Sequence, residues 1–206
     1  MLVLTADQRR SRRSADLVDD ALELLTADER AGRWERRPER TAGDEVQGVL
    51  ADPTHAVDLV LALVRDGRWS VGLGVGDVRR PLPRSARAGA GPAYEAARTA
   101  VTSAKGSPTR LAVVAATTDA HRARAVEDAE AVLGLLAAVV QRRTPAGWEA
   151  VDLVASGLTR TEAADRLGIT PQALSQRLLA GSWPQEERAR RAAAHLLSQA
   201  DGRMEV

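Results

Sequence analysis

Two groups of residues in this 206-residue sequence have the types and spacing to do chemistry. Asp7 closes a short apolar run, and Asp44 follows Gly43 between two strand-like segments. Two carboxylates brought to one place can hold Mg²⁺ together with a phosphate of a bound ligand. Arg9, Arg10, Arg12 and Arg13 follow Asp7, while Arg79, Arg80, Arg84 and Arg87 occupy a Pro-containing loop. Those cations are suited to neutralising a polyphosphate. The second group is Thr170, Pro171, Gln172, Ser175, Gln176 and Arg177. Gln pairs with adenine, Arg with guanine or phosphate, and Ser with base or backbone, so the group is suited to reading DNA.

The second group needs a helix to present it, and the flanking sequence supplies one. Thr144-Pro145 starts a helix with Trp148, Val151, Leu153 and Val154 on its apolar face, stopped at Ser156-Gly157. Thr159 with Glu162 three residues later predicts a capping box for the next helix. Ala163 and Ala164 are small where two helices cross, and Gly168 supplies a left-handed stop. Thr170-Pro171 is an N-cap followed by proline at the first helical position. Leu174 and Leu178 face inward, leaving the polar group outside. The span from Pro145 to Trp183 thus predicts a helix-turn-helix.

The first half alternates strand and helix. Leu2–Ala6 is a strand, Ser14 opens a helix, and Arg33–Arg40 with Glu45–Leu50 form a hairpin about Thr41-Ala42-Gly43-Asp44. Pro53 starts a second helix, and Trp69–Val75 alternates as a strand whose Gly72, Gly74 and Gly76 imply close backbone approach. A helix from Pro92 and a strand over Arg110–Ala116 complete a β-α-β-β-α-β-α-β order. The expected fold class is α+β: an N-terminal ferredoxin-like antiparallel sheet with helices and an extra strand, then an all-α helix-turn-helix domain. The expected division is 1–120 for the sheet domain, 121–143 for a connecting helix and 144–206 for the DNA-binding domain. The long helix over Ala123–Arg142 either packs in the monomer's own core or joins two copies.

Composition bounds the alternatives. With 29 basic and 28 acidic residues the net charge is +1, and Lys105 is the only lysine. Cysteine is absent, which removes thiolate metal sites and disulfides. No apolar run approaches the ~20 residues of a membrane span, so a cytoplasmic protein with no membrane partner is expected. His55, His121 and His195 show no ligand spacing. Between Arg142 and Val206 nine arginines stand against eight acids. A single helix-turn-helix of that charge binds DNA weakly, so a homodimer on two half-sites is expected.

Asp7-Gln8-Arg9-Arg10-Ser11-Arg12 resembles the opening of the SatD family. The likeness continues in Gly43–Leu50, Gly72–Gly76 and Gly91–Arg98, and covers about residues 1 to 180. It implies DNA binding. At greater distance the N-terminal half is similar to class III nucleotide cyclase domains. There the two metal-binding aspartates fall on Asp7 and Asp44, and an Asn and Arg four residues apart on a later helix fall on Tyr94 and Arg98. The Asn is replaced, and Lys105 does not stand where purine selection needs a lysine. The resemblance therefore implies a degenerate site in which Asp7 and Asp44 hold Mg²⁺ and Arg12, Glu45, Tyr94 and Arg98 contact a nucleotide. A transcriptional regulator with a ligand-sensing domain is the expected function, ahead of a divergent cyclase-type enzyme or a protein-interaction adaptor.

Overall fold

The computed structural model describes residues 1–27 and 33–201. Its strands are β1 Leu2–Gln8, β2 Trp34–Arg40, β3 Glu45–Leu50, β4 Trp69–Gly76 and β5 Leu111–Ala116. Its helices are α1 Val18–Thr26, α2 Pro53–Asp66, α3 Pro92–Ala104, α4 Ala120–Arg142, α5 Pro145–Ala155, α6 Arg160–Leu167, α7 Pro171–Ala180 and α8 Trp183–Asp201. The fold is α+β. The sheet order is β2-β3-β1-β4-β5, with β1 antiparallel to both neighbours and β5 parallel to β4. The first four strands have ferredoxin-like order, and β5 extends the edge.

Period-two alternation divides β1 between two cores. Leu2, Leu4 and Ala6 face α1, α2, α4 and α8, while Met1 and Val3 face α3. The glycines of β4 explain how closely α3 lies. A Cβ on Gly72 would stand 2.2 Å from the Val101 nitrogen, and one on Gly74 2.2 Å from the Ala93 oxygen. Backbone rests on backbone there, and α3 runs along β4 from end to end.

Helix α1 begins at Val18, four residues later than the expected start at Ser14. The Gln8 side chain takes the intervening backbone groups, as described below. Helix α4 carries Ala125, Val126, Ala129, Leu133, Leu136, Ala137 and Val140 into the main core, together with Ala193, Ala194, Leu197 and Ala200 of α8. The apolar face of α4 is thus used within the monomer. The last helix, expected with the helix-turn-helix, lies in the same core as the sheet. Its Ala/Leu spacing marks a buried stripe without indicating which core receives it. A separate small core built from Ala150, Val151, Ala163, Ala164, Leu174 and Leu178 belongs to α5–α7. Among the described residues, no helix is long and apolar enough to cross a membrane.

The segment α5–α7 leaves and rejoins the main body at one buried ion pair. Arg143 donates to Glu186, and both side chains are fully buried. Arg143 also donates from Nε and Nη2 to the Gly181 oxygen at 3.2 and 2.7 Å and lies over the Trp148 ring at 4.2 Å. Arg190 donates twice to Glu186 Oε1, at 2.9 and 2.7 Å, and once to Asp58 of α2 at 2.9 Å. Removing one partner of such a pair strands a buried charge, at about 3–5 kcal/mol. Glu186→Leu should cost that much in urea unfolding. Arg143→Met should cost less, because Arg190 still holds Glu186, and the double substitution should recover most of the Glu186→Leu loss.

Candidate functional site

A cationic cavity opens at the end of β1. Gln8 organises its rim. Its side chain, 2% exposed, donates to Ser14 Oγ at 3.0 Å and to the Ala15 oxygen at 2.6 Å, and accepts from the Leu17 amide at 2.9 Å. Residues 9–17 are therefore wrapped around one buried amide group. Arg10 takes a left-handed φ of 59°, and Ser11–Arg13 form a 3-10 turn. Arg9 points elsewhere, donating from Nη1 to the Gly67 oxygen at 2.6 Å.

The β2–β3 turn supplies the opposite wall. Gly43 adopts φ 65°, which places Asp44 where its carbonyl accepts from the Gln8 amide at 3.1 Å. Arg40 braces this turn to the arginine loop, bonding the Gly43 oxygen at 2.9 Å and Asp16 at 2.8 Å. The Arg40 hydrogen bond holds the Asp16 carboxyl below its usual range. Asp7 lies across from Glu45 on β3 and Ser70 on β4. The end of α3 then delivers Lys105, whose Nζ stands 2.7 Å from Asp7 Oδ2.

Together Asp7, Asp44, Arg10, Arg12, Arg13 and Lys105 line a cavity of about 530 Å³. Four cations face two carboxylates, an excess of two positive charges, which favours an anionic occupant. The structure brings Asp7, Asp44 and Arg12 together. Glu45 lies beside them in register but accepts from Thr41 Oγ1 at 2.7 Å and does not line the cavity.

Tyr94 and Arg98 are not brought to this cavity. Helix α3 starts beside Gly76, which pairs with Met1 at the far end of β1 from Asp7. Its 13 residues span about 20 Å. Tyr94 is buried against Met1, Val3 and Val49, its hydroxyl pressed on Gly89 with no hydrogen-bond partner among the described residues. Burial raises its phenol pKa above the usual value. Arg98 is exposed on the outer side of α3. The arginines at 79, 80, 84 and 87 belong to that far end too. Lys105 and Gln8 are the site residues that sequence reasoning missed. The polar type of Gln8 at the last residue of a buried strand was the available signal.

The helix-turn-helix takes shape through its caps. Thr144 Oγ1 accepts from the Gly147 amide at 3.2 Å, and Thr170 Oγ1 from Ala173 at 3.1 Å. Thr159 and Glu162 form the expected capping box, which holds the Glu162 carboxyl below its usual range. Gly168 turns left-handed at φ 64°, and the Ile169 amide reaches back to the Ala164 oxygen at 3.0 Å. Leu174 and Leu178 are buried, so α7 presents its other side outward.

On that side Gln172 and Gln176, one helical turn apart, are exposed. Pro171 and Thr170 are exposed at the helix start. Ser175 Oγ is occupied by the Pro171 oxygen at 2.9 Å. Arg177 leans back to Glu149 of α5, at 3.5 Å.

Comparison with protein-family models and with curated proteins yields no match for this chain.

Replacing Gln8 by Ala removes three hydrogen bonds that hold the arginine loop, each worth about 1 kcal/mol. Trypsin should then cleave between Arg9 and Arg13 several-fold faster than in the wild type, read by mass spectrometry of the fragments. Unchanged cleavage would show that the loop is held by something other than Gln8.

Proposed function

We propose that this protein is a DNA-binding transcriptional regulator in which the α/β domain senses an anionic ligand of the nucleotide class. The observation that carries the reading is the presentation of α7. A left-handed Gly168 and a capped start at Thr170 set it across α6, with Gln172 and Gln176 pointing outward one turn apart. An i, i+4 pair of glutamines on the exposed face of a second helix is suited to adenine edges in the major groove. Arg160 and Arg166 are exposed on α6, the helix that crosses the phosphate backbone in such motifs. The near balance of charge in this segment favours two copies on neighbouring half-sites. The SatD resemblance agrees with this reading, and the excess positive charge of the cavity favours a ligand carrying phosphate. An enzymatic reading would need transition-state groups beside Asp7, whereas Tyr94 is buried near the far end of α3 and Arg98 is exposed midway along it.

Leu179, 55% exposed on α7, favours a second reading in which that helix docks a protein partner. Gel-shift assays on genomic fragments at low salt separate the two. For a preferred fragment, Gln172→Ala or Gln176→Ala should weaken binding by about 5- to 100-fold, the range of a bidentate base contact. Glu149→Gln should tighten it, because Arg177 is then released toward phosphate. Leu179→Ser should leave it unchanged. Binding without sequence preference, or indifferent to both glutamines, would overturn the DNA reading. The combination of no DNA binding and a protein interaction lost in Leu179→Ser would establish the docking reading instead.

A further inference from the structure

The distant sequence resemblance to nucleotide cyclases implies Mg²⁺ between Asp7 and Asp44, and the donor set at the cavity does not fit a resident metal. Mg²⁺ requires near-octahedral oxygen ligands at about 2.0–2.1 Å. Asp7 already holds an ammonium at 2.7 Å. A divalent ion on the same carboxylate would stand against that charge, with Arg10, Arg12 and Arg13 adding to the repulsion. No third acid joins them, since among the described residues no group of three His, Cys, Asp or Glu side chains could hold a metal.

We infer that the cavity is a metal-independent site for a phosphate ester or polyphosphate chain, in which Lys105 takes the place of the metal. This rests on the ligand-sensing reading and specifies its chemistry. The Lys105 ammonium has three donors and gives one to Asp7, leaving two for a phosphate oxygen. It is half exposed, whereas Asp7 is 18% exposed, so the charge faces the opening and the carboxylate sits behind it. Arg10, Arg12 and Arg13 make no ion pair among the described residues. Three uncommitted guanidiniums beside one ammonium match a chain of phosphates, the guanidiniums bidentate and the ammonium as a point charge. A cavity of about 530 Å³ has room for more than one phosphate. Asp7 then orients Lys105 and contributes no ligand to a metal.

The two mechanisms predict opposite signs for one substitution. If a metal bridges the ligand, Asp7→Asn abolishes binding. If Lys105 replaces the metal, Asp7→Asn removes a negative charge and frees the ammonium, and binding tightens. Calorimetry with inorganic tripolyphosphate, ATP and GTP in EDTA tests this on the full chain. Binding should occur without metal, tighten about 5- to 10-fold in Asp7→Asn, and weaken about tenfold or more in Lys105→Gln, as for loss of one charge-assisted hydrogen bond. Nucleotides binding more tightly than tripolyphosphate would identify the nucleotide as the source of the phosphates, and equal affinity the phosphate chain itself.

Binding that requires Mg²⁺ and disappears in Asp7→Asn would overturn the inference and leave the ligand-sensing reading standing. No binding in either condition would overturn both. Mn²⁺ titration followed by electron paramagnetic resonance is the second measurement. Wild-type protein should retain no Mn²⁺ at micromolar concentration, while Lys105→Gln should gain affinity. Stoichiometric Mn²⁺ on the wild type would overturn the inference. Both substituted side chains reach the surface, and thermal unfolding confirms that the variants fold.

Discussion

The placement of α5–α7 depends on the buried pair of Arg143 and Glu186. The chain enters the segment 145–180 just after Arg143 and leaves it at Gly181, and the Arg143 guanidinium bonds both Glu186 and the Gly181 carbonyl. One side chain thus ties entrance to exit. Burying two charges is costly, and the cost is offset only when their remaining donors and acceptors are used. Here Arg190 occupies the second Glu186 oxygen and extends the network to Asp58 on α2, while Arg143 Nη1 has no hydrogen-bond partner among the described residues. Arg143 and Arg65 both lie over the Trp148 ring, at 4.2 and 3.7 Å. An apolar cluster of the same volume would give similar stability. It would lack the directional bonds that fix how α5–α7 sit on the sheet domain.

The sheet domain makes its cavity by the same economy of geometry. Because Gly72 and Gly74 bring α3 into backbone contact with β4, the helix follows the strand and its two ends lie at opposite ends of the sheet. Lys105 arrives beside Asp7 at one end, and Tyr94 is buried beside Met1 at the other. The close packing that delivers a cation to the cavity also separates the ligand residues that a cyclase-like site would gather. The course of α3 along β4 decides both outcomes.

What was legible in the sequence follows from how local each cause is. The caps at Thr144, Thr159 and Thr170 each join residues three positions apart, so their spacing alone predicts them. The hairpin at Gly43 and the alternation of β1 and β4 are equally local. Helix α8 was not legible as part of the sheet domain, because a stripe of alanines and leucines does not encode its partner. Lys105 meets Asp7 across 98 positions of sequence, a distance over which neither residue type nor period carries information. Gln8 was passed over because a glutamine's burial depends on three backbone and hydroxyl partners that exist only once residues 14–17 fold back.

The cavity and the helix-turn-helix attach to the same turn at the end of α2. The arginine loop is fastened there through Arg9, whose amide donates to the Arg68 oxygen at 2.8 Å and whose side chain holds the Gly67 oxygen. Arg68 is itself clamped by Asp66 and Asp20. A few residues earlier, Arg65 grips Asp152 of α5 through two bonds, at 2.6 and 2.7 Å. A ligand influences a distant segment only by fitting two arrangements of the intervening structure unequally. The two attachments of α5–α7 differ in how readily they rearrange. Separating Arg143 from Glu186 strands a buried charge, whereas the Arg65–Asp152 pair, 41% and 48% exposed, exchanges its partner for water at a cost of about 1 kcal/mol or less. The stiff attachment is therefore Arg143 and the compliant one is Arg65. A reorientation of α5–α7 thus costs least where it exchanges the Arg65–Asp152 pair and leaves Arg143–Glu186 intact.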